Sequence, residues 1–182
     1  VTATDTAGAS ASQDFTVTVN NTNDAPVITS SGAAGFAENA TGTVYTATAT
    51  DVDVGTTLAY SISGADAALF DIDATTGVVT FKSSPNYEAP ADAGGDNVYD
   101  ITVGASDGIV TTTKDVAISV SNVNEAPTIT SGSAVSFAER ATGAVYTVAA
   151  TDQDAGATLT YSLTGTDAAR FNINATTGVI TF

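Results

Sequence analysis

Cysteine, histidine, methionine and tryptophan are all absent from this sequence of 182 residues. Without Cys or His there are no disulfides, no soft ligands for zinc, and no Ser-His or Cys-His catalytic pair. Basic residues are nearly absent too. Only Lys82, Lys114, Arg140 and Arg170 face 20 acids, for a net charge of -16, which repels phosphate backbones and anionic membranes and argues against a nucleic-acid partner. No apolar run reaches the ~18 residues of a membrane helix, and no positively charged start followed by an apolar stretch is present, so neither a membrane span nor a signal peptide is read here. The chain is read as a piece of a longer one. What remains is a composition of Val, Ile, Ala and Thr interrupted by Gly and Asp, 43% hydrophobic. That suits short strands and turns with almost no helix. The surplus of hard carboxylate oxygens makes a divalent cation the natural counter-charge, and among these calcium suits an all-oxygen ligand set.

The strongest internal signal is a repeat. Residues 25–81 match 126–182 without a gap at a constant offset of 101, with about two thirds identity. Glu38 falls on Glu139, Asp51 on Asp152, Asp53 on Asp154, Phe70 on Phe171 and Gly77 on Gly178. Phe15–Pro26 matches Val116–Pro127 at the same offset. The expected organisation is the tail of one repeat in 1–24, a complete repeat in 25–125 and the first part of another in 126–182.

Period-two alternation marks the strands of the complete repeat. They fall in Val27–Phe36, Thr43–Thr50 (Tyr45, Ala47 and Ala49 on one face), Leu58–Ile62, Phe70–Ile72 and Val78–Phe81. The last two put Tyr99, Ile101, Val103 and Ala105, then Val116, Ile118 and Val120, inward. Seven short antiparallel strands in about 100 residues imply an all-β two-sheet sandwich. Asp73 and its counterpart Asn174 are read as turn caps ahead of Gly77 and Gly178. Tyr45, Tyr99, Phe70 and Phe81 follow the strand alternation and are read as core.

An odd number of crossings brings the chain in at one pole and out at the other, so tandem copies form a rod. The acids then sort by pole. Glu38, Asn86 and Glu88 lie beside the outgoing linker; Asp51, Asp53 and Asp107 lie beside the incoming one, where Asn23 and Asp24 also sit. In the next repeat, Asp152 and Asp154 take that second position. Five carboxylates, Glu38, Glu88, Glu125, Asp152 and Asp154, with Asn86, Asn122 and Asn124 as neutral oxygens, are thus expected to converge around Asn122–Pro127. Residues i and i+2 of an extended segment point the same way, about 7 Å apart, so Asp152 and Asp154 reach to one side. One or two calcium ions would roughly neutralise the set. Without them, the joint should flex.

Other calcium motifs fail on spacing. The run from Asp51 begins like an EF-hand loop, but its twelfth position is Ile62 rather than Glu. Gly94-Gly95-Asp96 occurs without a nonapeptide period, and the sequons at Asn20, Asn39 and Asn174 are chance matches in a Thr-rich chain.

These stations resemble those of the cadherin repeat, in its bacterial cadherin-like form. The residues that carry the likeness are Glu38-Asn39 and Glu139, Asp51-Val52-Asp53 and Asp152-Gln153-Asp154, Asn86-Tyr87-Glu88, Ala105-Ser106-Asp107, the linkers ending at Pro26 and Pro127, and Phe70-Asp71-Ile72-Asp73 with Thr76-Gly77-Val78. It covers essentially the whole chain. It implies an immunoglobulin-like Greek-key sandwich in tandem, calcium at the joints, an extracellular or cell-surface place, and adhesion or spacing rather than catalysis. Its partners would be other such repeats, a cell-surface protein or a glycan. The departures, Asn86, Asn21, Asn122 and Glu125 where aspartates or a different carboxylate are the family pattern, imply fewer or weaker ions. Rival readings are a carbohydrate-binding sandwich, which needs clustered exposed aromatics, and a carboxylate-pair glycosidase, which needs two acids in a cleft. Residues 1–24 also carry the two strands that 126–182 lacks, so head-to-tail closure or strand exchange with a neighbour is expected.

Overall fold

A computed structural model covers residues 1–182. Every sheet draws its strands from one of three segments: an N-terminal hairpin, a central unit and a C-terminal unit. The hairpin pairs β1 (Thr2–Thr4) with β2 (Ser10–Ser12) and nothing else.

The central unit holds β3 (Val27–Ile28), β4 (Ala33–Ala37), β5 (Thr43–Thr46), β6 (Ala49–Thr50), β7 (Ala59–Ser63), β8 (Phe70–Ile72), β9 (Val78–Phe81), β10 (Val98–Ser106) and β11 (Thr111–Ser121). One sheet runs β4-β11-β10-β7; the facing layer is β5-β9-β8, with the short pair β3-β6 beside it. The non-consecutive neighbours β7–β10 and β5–β9 are the crossovers of a Greek-key sandwich.

The inward alternation follows the sequence. Tyr99, Ile101, Val103 and Ala105 are at most 2% exposed, and Val116, Ile118 and Val120 at most 5%. The rings of Phe70, Phe81 and Tyr99 pack against one another, Phe81 over Phe70 at 4.2 Å and edge-on to Tyr99 at 5.0 Å. They are interior, not a sugar-binding platform.

Two expectations are corrected. The stretch Val27–Phe36 is not one strand and the sandwich is not wholly antiparallel: the chain breaks at Ser30–Gly32, leaves β6, and pairs as β4 in parallel with β11, Ala33 opposite Ala117. Serving both sheets lets one segment close an edge of each layer, and Tyr45 holds the break by donating its hydroxyl to Ser30 Oγ at 2.7 Å. The stretch Thr43–Thr50 is likewise split, β5 pairing with β9 and β6 with β3; Tyr45 and Ala47 face inward as expected, and a register shift between Thr43 and Tyr45 turns Val44 inward as well, 7% exposed.

The β8–β9 turn is built as read. Asp73 Oδ1 accepts the N–H groups of Thr75 and Thr76 at 2.8 and 2.9 Å, and Asn174 does the same for Thr176 and Thr177 at 3.0 Å. Those donors, Thr76 first and then Thr75, hold the Asp73 carboxyl below its ordinary 3.8. A carboxyl lowered in the folded state contributes stability that is fully present above 3.8 and is lost as pH falls through the depressed value. Because Asn174 makes the same bonds uncharged, Asp73→Asn is expected to leave Tm at pH 7 unchanged and to flatten its fall below pH 4, measured by thermal melts across pH.

The C-terminal unit repeats the first half of this plan. It contains β12 (Thr128–Ile129), β13 (Ala144–Thr147), β14 (Ala150–Thr151), β15 (Asn172–Ile173) and β16 (Val179–Thr181), arranged as β12-β14 and β13-β16-β15.

Candidate metal centre

The centre lies where the central unit hands the chain to the C-terminal unit. Glu38 follows β4, Glu88 precedes β10, and Glu125 follows β11. These sites are far apart in sequence, yet one carboxylate oxygen from each lies within 4.8 Å of the others.

Glu38 is the anchor. It is 2% exposed, and its two oxygens accept the backbone N–H groups of Tyr87 and Val123, each at 2.7 Å. A carboxylate pays the cost of burial only when it is hydrogen-bonded or paired, and these two donors come from the loop before β10 and from the strand exit. Glu38 therefore pins both to the loop that follows β4. Asn39, in the left-handed region at φ 58°, donates its amide to Glu125 Oε1 at 2.5 Å.

Glu88 is aimed by its neighbour. Asn86 Oδ1 accepts the N–H groups of Glu88 and Ala89 at 2.8 and 3.0 Å, an Asx turn that projects the Glu88 side chain into the joint. Asn122 donates its amide to Glu88 Oε1 at 2.7 Å. Burial, and then the charges of Glu38, Glu125 and Asp154, push the Glu88 carboxyl above its ordinary 4.5. Glu88 Oε2 and Glu125 Oε2 are buried with no hydrogen-bond partner.

The C-terminal unit contributes through β14 and the loop after it. Asp154 Oδ2 accepts the Glu125 N–H at 2.8 Å, and Asp152 Oδ1 accepts the Asp154 N–H at 3.0 Å. Asn86 reaches across to donate its amide to Gln153 at 3.2 Å.

Of the eight residues expected here, the structure draws Glu38, Glu88 and Glu125 together, sets Asp154 against them, and places Asn122 on Glu88. Asp152 supports Asp154 from behind and lines a cavity with Asn124 and Glu125. Asn124 donates its amide to the Glu125 carbonyl at 2.9 Å, and the Asn86 oxygen faces backbone. Asn39 and Gln153 are contacts that sequence reasoning missed. The only signal for either was its place inside a Glu-Asn or Asp-x-Asp station.

The donor set fits a hard cation. Calcium sits 2.3–2.6 Å from its oxygens, so two oxygens on opposite sides of one ion are about 5 Å apart, the scale of this cluster. The two orphaned oxygens lack the donor that an ion would replace. Glu38, Glu88 and Glu125 would hold it, with Asp154 closing the side of the C-terminal unit.

The incoming joint uses the same frame with more of its oxygens bonded, although Asp51 Oδ2 is also buried without a hydrogen-bond partner. Asp24 N donates to Asp53 Oδ2 at 2.8 Å, the counterpart of the Glu125–Asp154 bond. Asn21 donates to Asp53 Oδ1 at 2.5 Å, Asn23 to Asp107 Oδ2 at 2.8 Å, and Asp53 N to Asp51 Oδ1 at 2.8 Å. Asp53 is lowered by Asn21 and the Asp24 N–H, and Asp107 by the Val110 N–H, Asn23 and the Ile109 N–H. Donors favour ionisation at this end, whereas burial and like charge oppose it at Glu88. Glu139, the counterpart of Glu38, has a side chain 85% exposed beside Arg140.

Solved structures of cadherin extracellular domains share this architecture. Human Protocadherin-24 EC1-2 (Form II) aligns with TM-score 0.62 and 23% identity over 87% of this chain and 79% of its own. Human CDH23 EC21-23 aligns with TM-score 0.60 and 24% identity over 90% and 55%. Mouse Cadherin-23 EC22-24 aligns with TM-score 0.51 and 28% identity over 86% and 53%. This chain thus spans about half the length of the latter two. No protein-family model and no curated protein matches the sequence. The fold is an all-β, cadherin-like β-sandwich.

Proposed function

We propose that this chain is a segment of an extracellular rod whose joint around Asn122–Pro127 is stiffened by calcium. In this reading residues 25–125 are one whole cadherin-like repeat, 1–24 the closing hairpin of a preceding one, and 126–182 the opening part of the next. The rod serves adhesion or projects another domain from a surface, with further repeats, a cell-surface protein or a glycan as partner and without catalysis of its own. No helix is long and apolar enough to cross a membrane.

One observation carries the reading: three carboxylates from three separated segments of the central unit meet within 4.8 Å at its exit, where Asp154 of the next unit accepts the Glu125 N–H, and two of their oxygens are buried and unpartnered. Such a set repels itself unless a cation or a proton intervenes. A divalent ion shared by Glu38, Glu88, Glu125 and Asp154 turns that repulsion into a clamp on both units.

The test is calorimetric calcium titration of the chain, with thermal melting beside it. Ligand at 100 times its Kd stabilises by about 2.7 kcal/mol, so millimolar calcium is expected to raise Tm by several degrees. Glu88→Gln and Glu125→Gln are each expected to weaken binding by about tenfold or more. Absence of both heat and a Tm shift would reject the proposal.

A further inference from the structure

Between residues 25–81 and their copy in 126–182, only four positions change charge: Asn39 becomes Arg140, Leu69 Arg170, Asp71 Asn172 and Asp73 Asn174. The last three lie in or beside β8. Only the first stands at the joint.

The backbone of that position is the same in both copies. Asn39 has φ 58° and Arg140 φ 61°, and each is followed by the same turn, Ala40 N–H donating to the Ala37 carbonyl at 3.4 Å and Ala141 N–H to the Ala138 carbonyl at 3.1 Å. Asparagine is favoured in this left-handed region, whereas an arginine there bears the Cβ strain without a local hydrogen bond in return. Backbone preference therefore explains Asn39 and does not explain Arg140.

The joint of the central unit shows what a charge at this position would meet. The Asn39 N–H donates to the Pro85 carbonyl at 3.0 Å, which fixes the residue to the loop that carries Glu88, and its amide donates to Glu125 Oε1. Both oxygens of Glu38 are occupied by the Tyr87 and Val123 N–H groups. Glu88 Oε2 and Glu125 Oε2 are the ones left, buried and unpartnered. A guanidinium extends beyond the point where the Asn39 amide ends, keeps its charge throughout the physiological pH range, and carries five N–H donors in a planar fork that suits carboxylate oxygens.

We propose that residue 39 decides where the cation of this joint comes from. Asparagine gives one neutral bond and leaves the two oxygens to a bound divalent ion; arginine at the same position fills them with a charge of its own. The first half rests on the calcium reading above, while the second concerns only the charges of the chain. Arg140 brings to its station the cation that Asn39 leaves to be bound.

Calorimetric calcium titration and thermal melting in chelator, both on the full chain, test the two halves separately. Asn39→Arg is expected to weaken calcium binding roughly tenfold or more, because its charge repels the ion at close range. In chelator it is expected to melt several degrees above the wild type, toward the value that the wild type reaches in calcium. Asn39→Gln, an amide without the charge, is expected to bind calcium within a few-fold of the wild type and to gain nothing in chelator. The proposal is overturned by an Asn39→Arg chain that binds calcium as the wild type does or melts no higher in chelator, or by an Asn39→Gln chain that loses calcium to the same extent. A wild type that takes up no calcium rejects the metal reading instead, and the chelator melts still decide whether arginine supplies the missing charge.

Discussion

Glu38→Ala is expected to destabilise the central unit by about 3 kcal/mol and to remove its response to calcium, while Glu139→Ala leaves stability unchanged. Glu38 and Glu139 are the same residue in two copies of one sequence, so the contrast isolates environment. Glu38 is 2% exposed and receives two backbone N–H groups at 2.7 Å. A hydrogen bond to a charged group contributes about 1.5–3 kcal/mol, and removing the acceptor leaves the Tyr87 and Val123 N–H groups without their partner. Against this, alanine relieves the repulsion of Glu88 and Glu125, so the loss measured in chelator is expected to be smaller than the loss in calcium. Glu139 is solvated and has neither donor. Urea denaturation of both variants with and without calcium reads all four quantities. Equal effects of the two substitutions would remove Glu38 from its role as anchor.

Gly77→Ala is expected to cost the central unit about 2–4 kcal/mol. Two penalties act together. Gly77 has φ 71°, where a Cβ costs roughly 1 kcal/mol, and a Cβ there would stand 2.2 Å from the carbonyl oxygen of Ala47. That oxygen belongs to backbone, and the neighbouring Ala47 N–H donates to the Gly77 carbonyl at 2.9 Å. Relief of the clash therefore pulls apart β5 and β9, the edge of a core in which Ala47 and Val79 are at most 1% exposed. Strain plus a broken buried bond gives the upper end of the range. Gly95→Ala is the control: its φ of 66° matches that of Gly77, but nothing lies within 4 Å of the added carbon, so only the conformational cost is expected. Chemical denaturation of the two variants side by side tests the difference, and equal losses would show that the close approach to Ala47 contributes nothing.

These expectations draw on two kinds of information. Alternation along Tyr99–Ala105 and Val116–Val120 was legible because side-chain direction in a strand is local and has a period of two. The turn capped by Asp73 was legible for a similar reason, since its bonds span three residues. The poles of Glu38, Glu88 and the Asp-x-Asp pairs were legible because they follow from the number of strand crossings, which the repeat displays.

What packing decides was not legible. The parallel addition of β4 to β11 depends on which edge is free in each sheet, and the inward turn of both Val44 and Tyr45 depends on a bulge opposite β9. The same holds within the joint. The sequence by itself determined that acids gather at Asn122–Pro127. Only the tertiary structure decided that Glu38, Glu88 and Glu125 form the inner set, that Asn39 bonds Glu125 while Gln153 accepts from Asn86, and that the Asn86 oxygen turns to backbone. The physical reason is that a residue's place in a strand order is topological, whereas the oxygen it presents is chosen by N–H donors that folding brings from tens of residues away.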